Sequence, residues 1–332
     1  MDKFVKELLT EDVLVETAKR YGIGKEKVYF VGGFENFIFG FEANDKSFIV
    51  RISHSSHRDL DDIKSELDFV FYLAKNGARV SMPVATVSGN LVEKIDASDG
   101  SYFIISAFTK AEGRPPKSQD LNEEFLYSYG KTIGQFHKFT KNYVPSEGIK
   151  KRFAWYQDPL LMNAKTYLKD EDLVILDRLN ELMESIKSTP ITANNYGLIH
   201  TDVHMGNFFV KNNELTVFDF DDASYQYFVS DIAIFLFYLI WFKKDEERTE
   251  DARFLMTHFL KGYLSENQLS KEDFLAIDKF LKLREIVLYL VIHKTLNIEE
   301  SEFAKNYIRM YRERIINKIP FVELDFDCFL HQ

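Results

Sequence analysis

The chain has 332 residues, 45% of them hydrophobic, with 31 Phe and 17 Tyr, so two lobes or domains with a sizeable core are expected. A net charge of -10 argues against nucleic acid as a main partner. The single cysteine, Cys328, excludes an internal disulfide, and the longest apolar run, Ile232 to Phe242, is too short to span a bilayer. The polar start, Met1-Asp2-Lys3-Phe4, lacks the apolar core of a signal peptide. A cytoplasmic protein of unknown oligomeric state, with no membrane partner, is the expectation.

Two short helical patterns open the chain, about Asp2 to Leu9 and Glu11 to Tyr21, separated by Thr10 as N-cap and closed by Gly22. Strands follow at Val28 to Val31, Phe37 to Glu42 and Ser47 to Ile52, divided by Gly32-Gly33 and Asn44-Asp45. A helix from about Leu60 to Asn76 carries Ile63, Leu67, Val70, Phe71 and Ala74 on one face. Val84 to Val87, Leu91 to Ile95 and Tyr102 to Phe108 complete a strand-rich lobe. Beyond Gly113-Arg114-Pro115-Pro116 the pattern turns helical: Asn122 to Phe139 and Leu173 to Lys187. After one interrupting hairpin come Asp231 to Phe242, Arg253 to Leu264, Lys271 to Leu296 and Ser301 to Asn317. The fold class expected is α+β, a two-lobed protein-kinase-like fold with a nucleotide-binding lobe over 1–108 and a catalytic, helical lobe over 109–332.

The hairpin carries the chemistry. His200-Thr201-Asp202-Val203-His204-Met205-Gly206-Asn207 precedes the strand Phe208-Phe209-Val210. A turn, Lys211 to Glu214, leads to the strand Leu215 to Phe218, which ends in Asp219-Phe220-Asp221. Phosphoryl transfer needs an acid to orient the attacking hydroxyl and oxygen ligands for Mg²⁺. The spacing H-x-D-x-x-x-x-N supplies Asp202 as that acid and Asn207 as an amide ligand. Asp219 adds a second carboxylate, and the hairpin is expected to bring Asn207 and Asp219 to the same end of adjacent strands.

The first lobe offers a nucleotide side. Gly32, Gly33 and Asn36 lie in a turn between strands, where glycines let backbone amides approach phosphates. Arg51, on the strand after it, is the candidate cation for the α/β-phosphates, and Glu66 on the next helix is the acid that holds it. Ser106 and Phe108, at the end of the last strand, are candidates for binding adenine through their backbone, by position alone.

Taken in order, Gly33-Phe34-Glu35-Asn36, the Arg51 strand, Glu66, Leu198 to Asn207, Val217 to Asp221 and Ser230-Asp231-Ile232-Ala233 resemble the aminoglycoside phosphotransferase/choline kinase superfamily, small-molecule relatives of protein kinases. Members related to homoserine kinase type II look nearest. The resemblance spans roughly Val28 to Phe242. It implies ATP and Mg²⁺ as cofactors, Asp202 as catalytic carboxylate, Asn207 and Asp219 as metal ligands, and Asp231 as a brace on the catalytic loop. His204 stands where many protein kinases carry lysine, either donating to the γ-phosphate or bracing the loop. The chain departs from protein kinases in having Arg51 for lysine, Asp219-Phe220-Asp221 for D-F-G, and no G-x-G-x-x-G loop.

The reaction expected is ATP-dependent phosphorylation of a hydroxyl on a small molecule: an amino acid or amino alcohol, an aminoglycoside or a sugar-like acceptor. Alternatives are a stress-response-type protein serine/threonine kinase and a non-catalytic kinase-fold binding or coat protein. Asp222 to Tyr227 and the positions Arg284, Tyr289 and His293 are candidate acceptor walls.

Overall fold

The structure is a computed structural model that describes residues 3–330. Met1 and Asp2, at the expected start of the first helix, lie outside the described residues. The chain divides into two compact units. One runs to Gly113 and also takes in Val144–Arg152 and Thr216–Asp221; the other comprises Arg114–Tyr143, Phe153–Leu215 and the chain from Asp222 onward.

The first unit begins with α1 (Lys3–Leu8) and α2 (Glu11–Arg20), then strands β1 (Tyr29–Gly32), β2 (Phe37–Ala43) and β3 (Lys46–His54). Helix α3 (Leu60–Lys75) follows, then β4 (Pro83–Val84), β5 (Val92–Asp96) and β6 (Tyr102–Thr109). These strands form one antiparallel sheet in the order β1-β2-β3-β6-β4, with β5 also on β6. Asn44 and Asp45, both at positive φ, make the two-residue turn between β2 and β3, the conformation that matches strand twist. The expected strand at Val84 to Val87 shrinks to two residues. The backbone of Thr86 turns to bond Asn90 and that of Val87 bonds Arg20.

Alternation along β3 sorts its side chains between two faces. Val50 and Ile52 face a core with Phe37, Phe39, Phe41, Phe103 and Ile105, under Val5 and Val13 of the first two helices. The period of two turns Arg51 to the opposite face. There α3 packs Ile63 and Leu67 on Ile104. Glu66 lies on that same buried stripe of α3. The helix starts on a capping box, in which Asp59 accepts from Asp62 N (2.7 Å) and Asp62 from Asp59 N (3.2 Å).

The second unit contains α4 (Glu123–Thr140), the short α5 (Pro159–Met162) and α6 (Ala164–Tyr167), and α7 (Leu173–Lys187). Strands β7 (Tyr196–Ile199), β8 (Phe208–Lys211) and β9 (Glu214–Val217) come next, and the chain passes into the first unit within β9. Back in the second unit are β10 (Ser224–Tyr227), α8 (Val229–Ile240), α9 (Asp245–Leu264), α10 (Lys271–Thr295) and α11 (Glu302–Ile316). Asp222 to Tyr227 is therefore mostly strand: β10 pairs antiparallel with β7, Ser224 against Ile199. Helix α9 starts two turns before the expected Arg253. Asp245, Glu246 and Glu247 in its first turn suit the positive end of the helix dipole, although they break the apolar pattern.

Helices α4 and α9 approach closely through glycines. A methyl group on Gly130 would come within 1.8 Å of Phe259 O, and one on Gly262 within 1.9 Å of Tyr127 O. Against them packs α8, buried along nearly its whole length, which fixes Asp231 in the interior. No helix among the described residues is long and apolar enough to cross a membrane.

Candidate active site

In the first unit Arg51 and Glu66 are both almost completely buried, at 2% and 1% exposure. Arg51 NH1 donates to Glu66 Oε1 at 2.9 Å and NH2 to Oε2, a bidentate fork. Arg51 NH1 also lies 3.4 Å from Asp219 Oδ1. Its guanidinium sits 5.3 Å from the centre of the Phe108 ring, and Arg51 pairs with Ser106 across the β3–β6 register. Ser106 and Phe108 therefore flank the arginine. Each has a strand on both sides: Arg51 and Val92 around Ser106, Ile49 and Pro83 around Phe108. Burial disfavours charge on Arg51, but Glu66, then Asp221 and Asp219, raise its pKa instead.

Asp219 adopts φ +65, a left-handed conformation uncommon outside glycine. Two residues on, Asp221 is tied down. It meets His57 Nε2 at 2.6 Å, Asn36 Nδ2 at 3.3 Å and Arg58 Nε at 3.4 Å. Burial alone would raise the Asp221 pKa; Arg58, His57 and Arg51 drive it well below the usual carboxylate value. Glu35, His57 and Asp221 bring three possible ligand atoms within 4.8 Å. Two guanidinium groups beside Asp221, those of Arg58 and Arg51, make that cluster a poor cation site. It works better as a latch: Glu35 and Asn36 follow Gly32 and Gly33, whose φ values are +158 and +138. The loop is thereby fastened to the acidic segment.

In the second unit Asp202 has 22% of its side chain exposed and is held by three donors. Asn207 Nδ2 donates to its Oδ2 at 3.1 Å and to its main-chain carbonyl at 2.9 Å. That leaves the amide oxygen of Asn207 as the ligand atom on offer. His204 Nδ1 accepts from Gly206 N at 2.9 Å, so in the neutral ring Nε2 carries the proton, and it lies 3.3 Å from Asp202 Oδ2. Arg284 NH2 donates to Asp202 Oδ1 and to the Tyr238 hydroxyl, with the guanidinium 4.9 Å above the Tyr238 ring. Burial alone would raise the Asp202 pKa. Arg284, aided by His204, holds it down to about 2.

The loop carrying Asp202 is braced from below. Asp231, 1% exposed, accepts the backbone N–H of Thr201 at 2.9 Å and of His200 at 3.3 Å, and meets His137 Nε2 at 3.1 Å. His137 Nδ1 in turn lies 2.8 Å from the Tyr263 hydroxyl. These bonds hold Thr201 at φ +63, and its hydroxyl donates to Asp222 O at 2.6 Å. The Tyr129 hydroxyl donates to Val203 O.

Of the candidate acceptor positions on α10, only Arg284 reaches Asp202. Tyr289 and His293 stack on each other at 4.7 Å in a buried group, His293 facing Asp172. The reason is helical: Glu285, Tyr289 and His293 follow one i, i+4 stripe, and Arg284 belongs to the neighbouring face. The sequence reading passed over His57, Arg58 and Tyr238, which no local pattern marks.

A kinase-like arrangement of a buried Arg–Glu pair, an H-x-D-x-x-x-x-N loop and a following acidic segment defines a phosphotransferase acting on a hydroxyl group. The model of the Phosphotransferase enzyme family matches residues 28–266, and the chain belongs to that family. It is 31% identical to an amicoumacin kinase of Bacillus subtilis (strain 168), across 99% of this chain and 98% of that protein. It is similar to the solved amicoumacin kinase hAmiN in complex with AMP-PNP, Ca²⁺ and Ami, with TM-score 0.93, 32% identity, and 99% and 100% of the two chains covered. A microcompartment-associated aminopropanol kinase, 18% identical with TM-score 0.75 over 93% and 98% of the chains, shares the fold. One relative alike over its full length is thus an amicoumacin kinase; homoserine-kinase-like members were the finer expectation.

Proposed function

We propose that this protein is an ATP-dependent kinase of a small hydroxyl compound, with amicoumacin or a molecule built like it as acceptor. The observation that carries the reading is the Asp202 carboxylate, held ionised and oriented by Asn207, His204 and Arg284, in a chain similar end to end to an amicoumacin kinase.

Asp202 accepts a hydrogen bond from the acceptor hydroxyl and turns its oxygen toward the γ-phosphorus. The bond from that oxygen to phosphorus forms, the bond from phosphorus to the β–γ bridging oxygen breaks, and ADP leaves. The hydroxyl proton passes to Asp202. His204, with Nε2 protonated, donates to the transferring phosphoryl oxygens or steadies Asp202. Arg51, oriented by Glu66, binds the non-transferred phosphates; the loop of Gly32, Gly33 and Asn36 covers them, and Ser106 and Phe108 adjoin the base.

The amide oxygen of Asn207 and the carboxylate of Asp219 are each a hard oxygen donor of the kind Mg²⁺ takes, and these are the residues that would hold it. A divalent ion, when held by them, would supply charge neutralisation on the phosphates. In this assignment residues 1–108 are the nucleotide lobe and 109–332 the catalytic lobe. ATP as donor and a single cysteine support a cytoplasmic setting.

The test is ADP release from Mg·ATP with amicoumacin present, followed by mass spectrometry of the acceptor. A product heavier by one phosphoryl group is expected. ADP release that is indifferent to amicoumacin, with no phosphorylated product, would remove amicoumacin as the acceptor.

A further inference from the structure

Within the second unit a cavity of about 220 Å³ opens beside the Asp202 loop. Its walls are Leu121, Tyr129, Phe235, Tyr238, Leu239 and Phe242, and the catalytic loop closes it with His204 and Met205. Ser118 stands at its rim and is exposed. Phe242 is 57% exposed, a large ring left in water at this opening.

Two of these side chains tie the cavity to Asp202. His204 lies 3.3 Å from its carboxylate, and Tyr238 shares with it the same arginine, Arg284. The wall carries six apolar or aromatic side chains and no carboxylate. Its volume is below the roughly 300–1,000 Å³ that holds a whole drug-sized ligand, so it takes part of a molecule. Apolar and aromatic walls favour an apolar guest; a primary ammonium would shed its water here with no carboxylate to pair it and only ring faces to offset the loss.

We propose, resting on the kinase reading above, that this cavity is the acceptor's specificity pocket and seats an aromatic ring or branched alkyl group of the compound whose hydroxyl meets Asp202. The acceptor class is an apolar-bodied hydroxyl compound. A polycationic aminosugar lacks a partner here.

The test compares two amino alcohols that differ only by a phenyl ring, L-phenylalaninol and L-alaninol. Each is assayed for ADP release from Mg·ATP, and for binding to the protein with Mg·AMP-PNP by titration calorimetry. Burial of the ring predicts kcat/KM and affinity about tenfold or more higher for phenylalaninol. Ser118→Trp, which fills the cavity from its exposed rim, and Phe242→Ala, which removes a wall, should each erase that advantage. Thermal stabilisation by Mg·AMP-PNP reports that each variant is folded. Equal binding of the two compounds to the wild type overturns the proposal, as does a phenyl preference that survives both variants. Preferential binding of phenylalaninol that Ser118→Trp abolishes supports the pocket even without turnover, in which case only the kinase reading loses ground.

Discussion

The Arg51–Glu66 pair separates stability from chemistry in one experiment. Both side chains are nearly inaccessible, and the contact is a fork of two hydrogen bonds. Replacing Arg51 with Met leaves the Glu66 carboxylate buried without its cation, the more costly of the two singles; replacing Glu66 with Met leaves the guanidinium only the longer contact to Asp219 at 3.4 Å. An uncompensated buried charge of this kind costs about 3–5 kcal/mol. The double variant, Arg51→Met with Glu66→Met, buries apolar groups of similar length and should return to within about 1 kcal/mol of wild type. Asp221 keeps His57 and Arg58 in every variant, so it adds little to the difference. The measurement is urea or calorimetric unfolding at neutral pH, followed by far-UV circular dichroism. Trp155 and Trp241, the two tryptophans, lie in the other unit and do not report on this one. The double variant should be as stable as wild type and still have a KM for ATP raised at least about tenfold, since one charged phosphate contact is worth about 1.5–3 kcal/mol. Singles that cost under 1 kcal/mol would refute the burial argument. A stable double variant with wild-type KM for ATP would remove Arg51 from the nucleotide site.

Asp202→Asn should lower kcat by about 10²–10⁴-fold with KM for ATP little changed; unchanged turnover would remove its role. Asn is the variant to make, because its amide oxygen still accepts from Arg284, whereas Ala leaves that guanidinium with no acceptor at this position and confounds activity with stability. Glu93 is buried among Ser88, Thr86, Asn90 and Arg20; desolvation opposes its charge, yet those bonds hold its pKa at about 2, against 4.5 for the free group. Its folded pKa is depressed, so its contribution, on the order of 3 kcal/mol, is present above pH 4.5 and lost as pH falls toward 2. Acid unfolding of Glu93→Gln should be flatter across that window, and identical profiles would contradict the assignment. Gly130→Ala forces a methyl against Phe259 O and should cost about 1–3 kcal/mol in unfolding free energy without altering KM for ATP.

The sequence made legible what is local or periodic. The H-x-D-x-x-x-x-N spacing is a fixed turn, so Asp202, His204 and Asn207 were recognisable together. Alternation along β3 turned Arg51 away from Val50 and Ile52, and the apolar stripe of α3 carried Glu66 to meet it. What stayed hidden depends on distant pairing. Arg284 meets Asp202 across 82 residues and His57 meets Asp221 across 164. Nothing near either residue records the partner. Strand β10 was missed because Ser224-Tyr225-Gln226-Tyr227 is only four residues long, too short for its alternation to stand out, and becomes a strand by pairing with β7.

In the role proposed for Asp202, its electrostatics bear on how phosphoryl transfer proceeds. A carboxyl group held at about 2 is ionised at every working pH, and it is also a feeble base. Arg284 and His204 make it weaker, and together with Asn207 they fix both oxygens in place. A group so arranged is badly suited to pull a proton from an alcohol before the phosphorus is attacked. It is well suited to orient that alcohol. A loose transition state needs only this, because the attacking oxygen carries little positive charge until its bond to phosphorus is nearly made. The proton then moves late, to an acceptor already in position. It follows that kcat/KM should show no acidic limb from Asp202 between about pH 5 and 8. A limb in that range that disappears in Asp202→Asn would mean that the carboxylate acts as a true base and that its neighbours hold it less firmly than the geometry says.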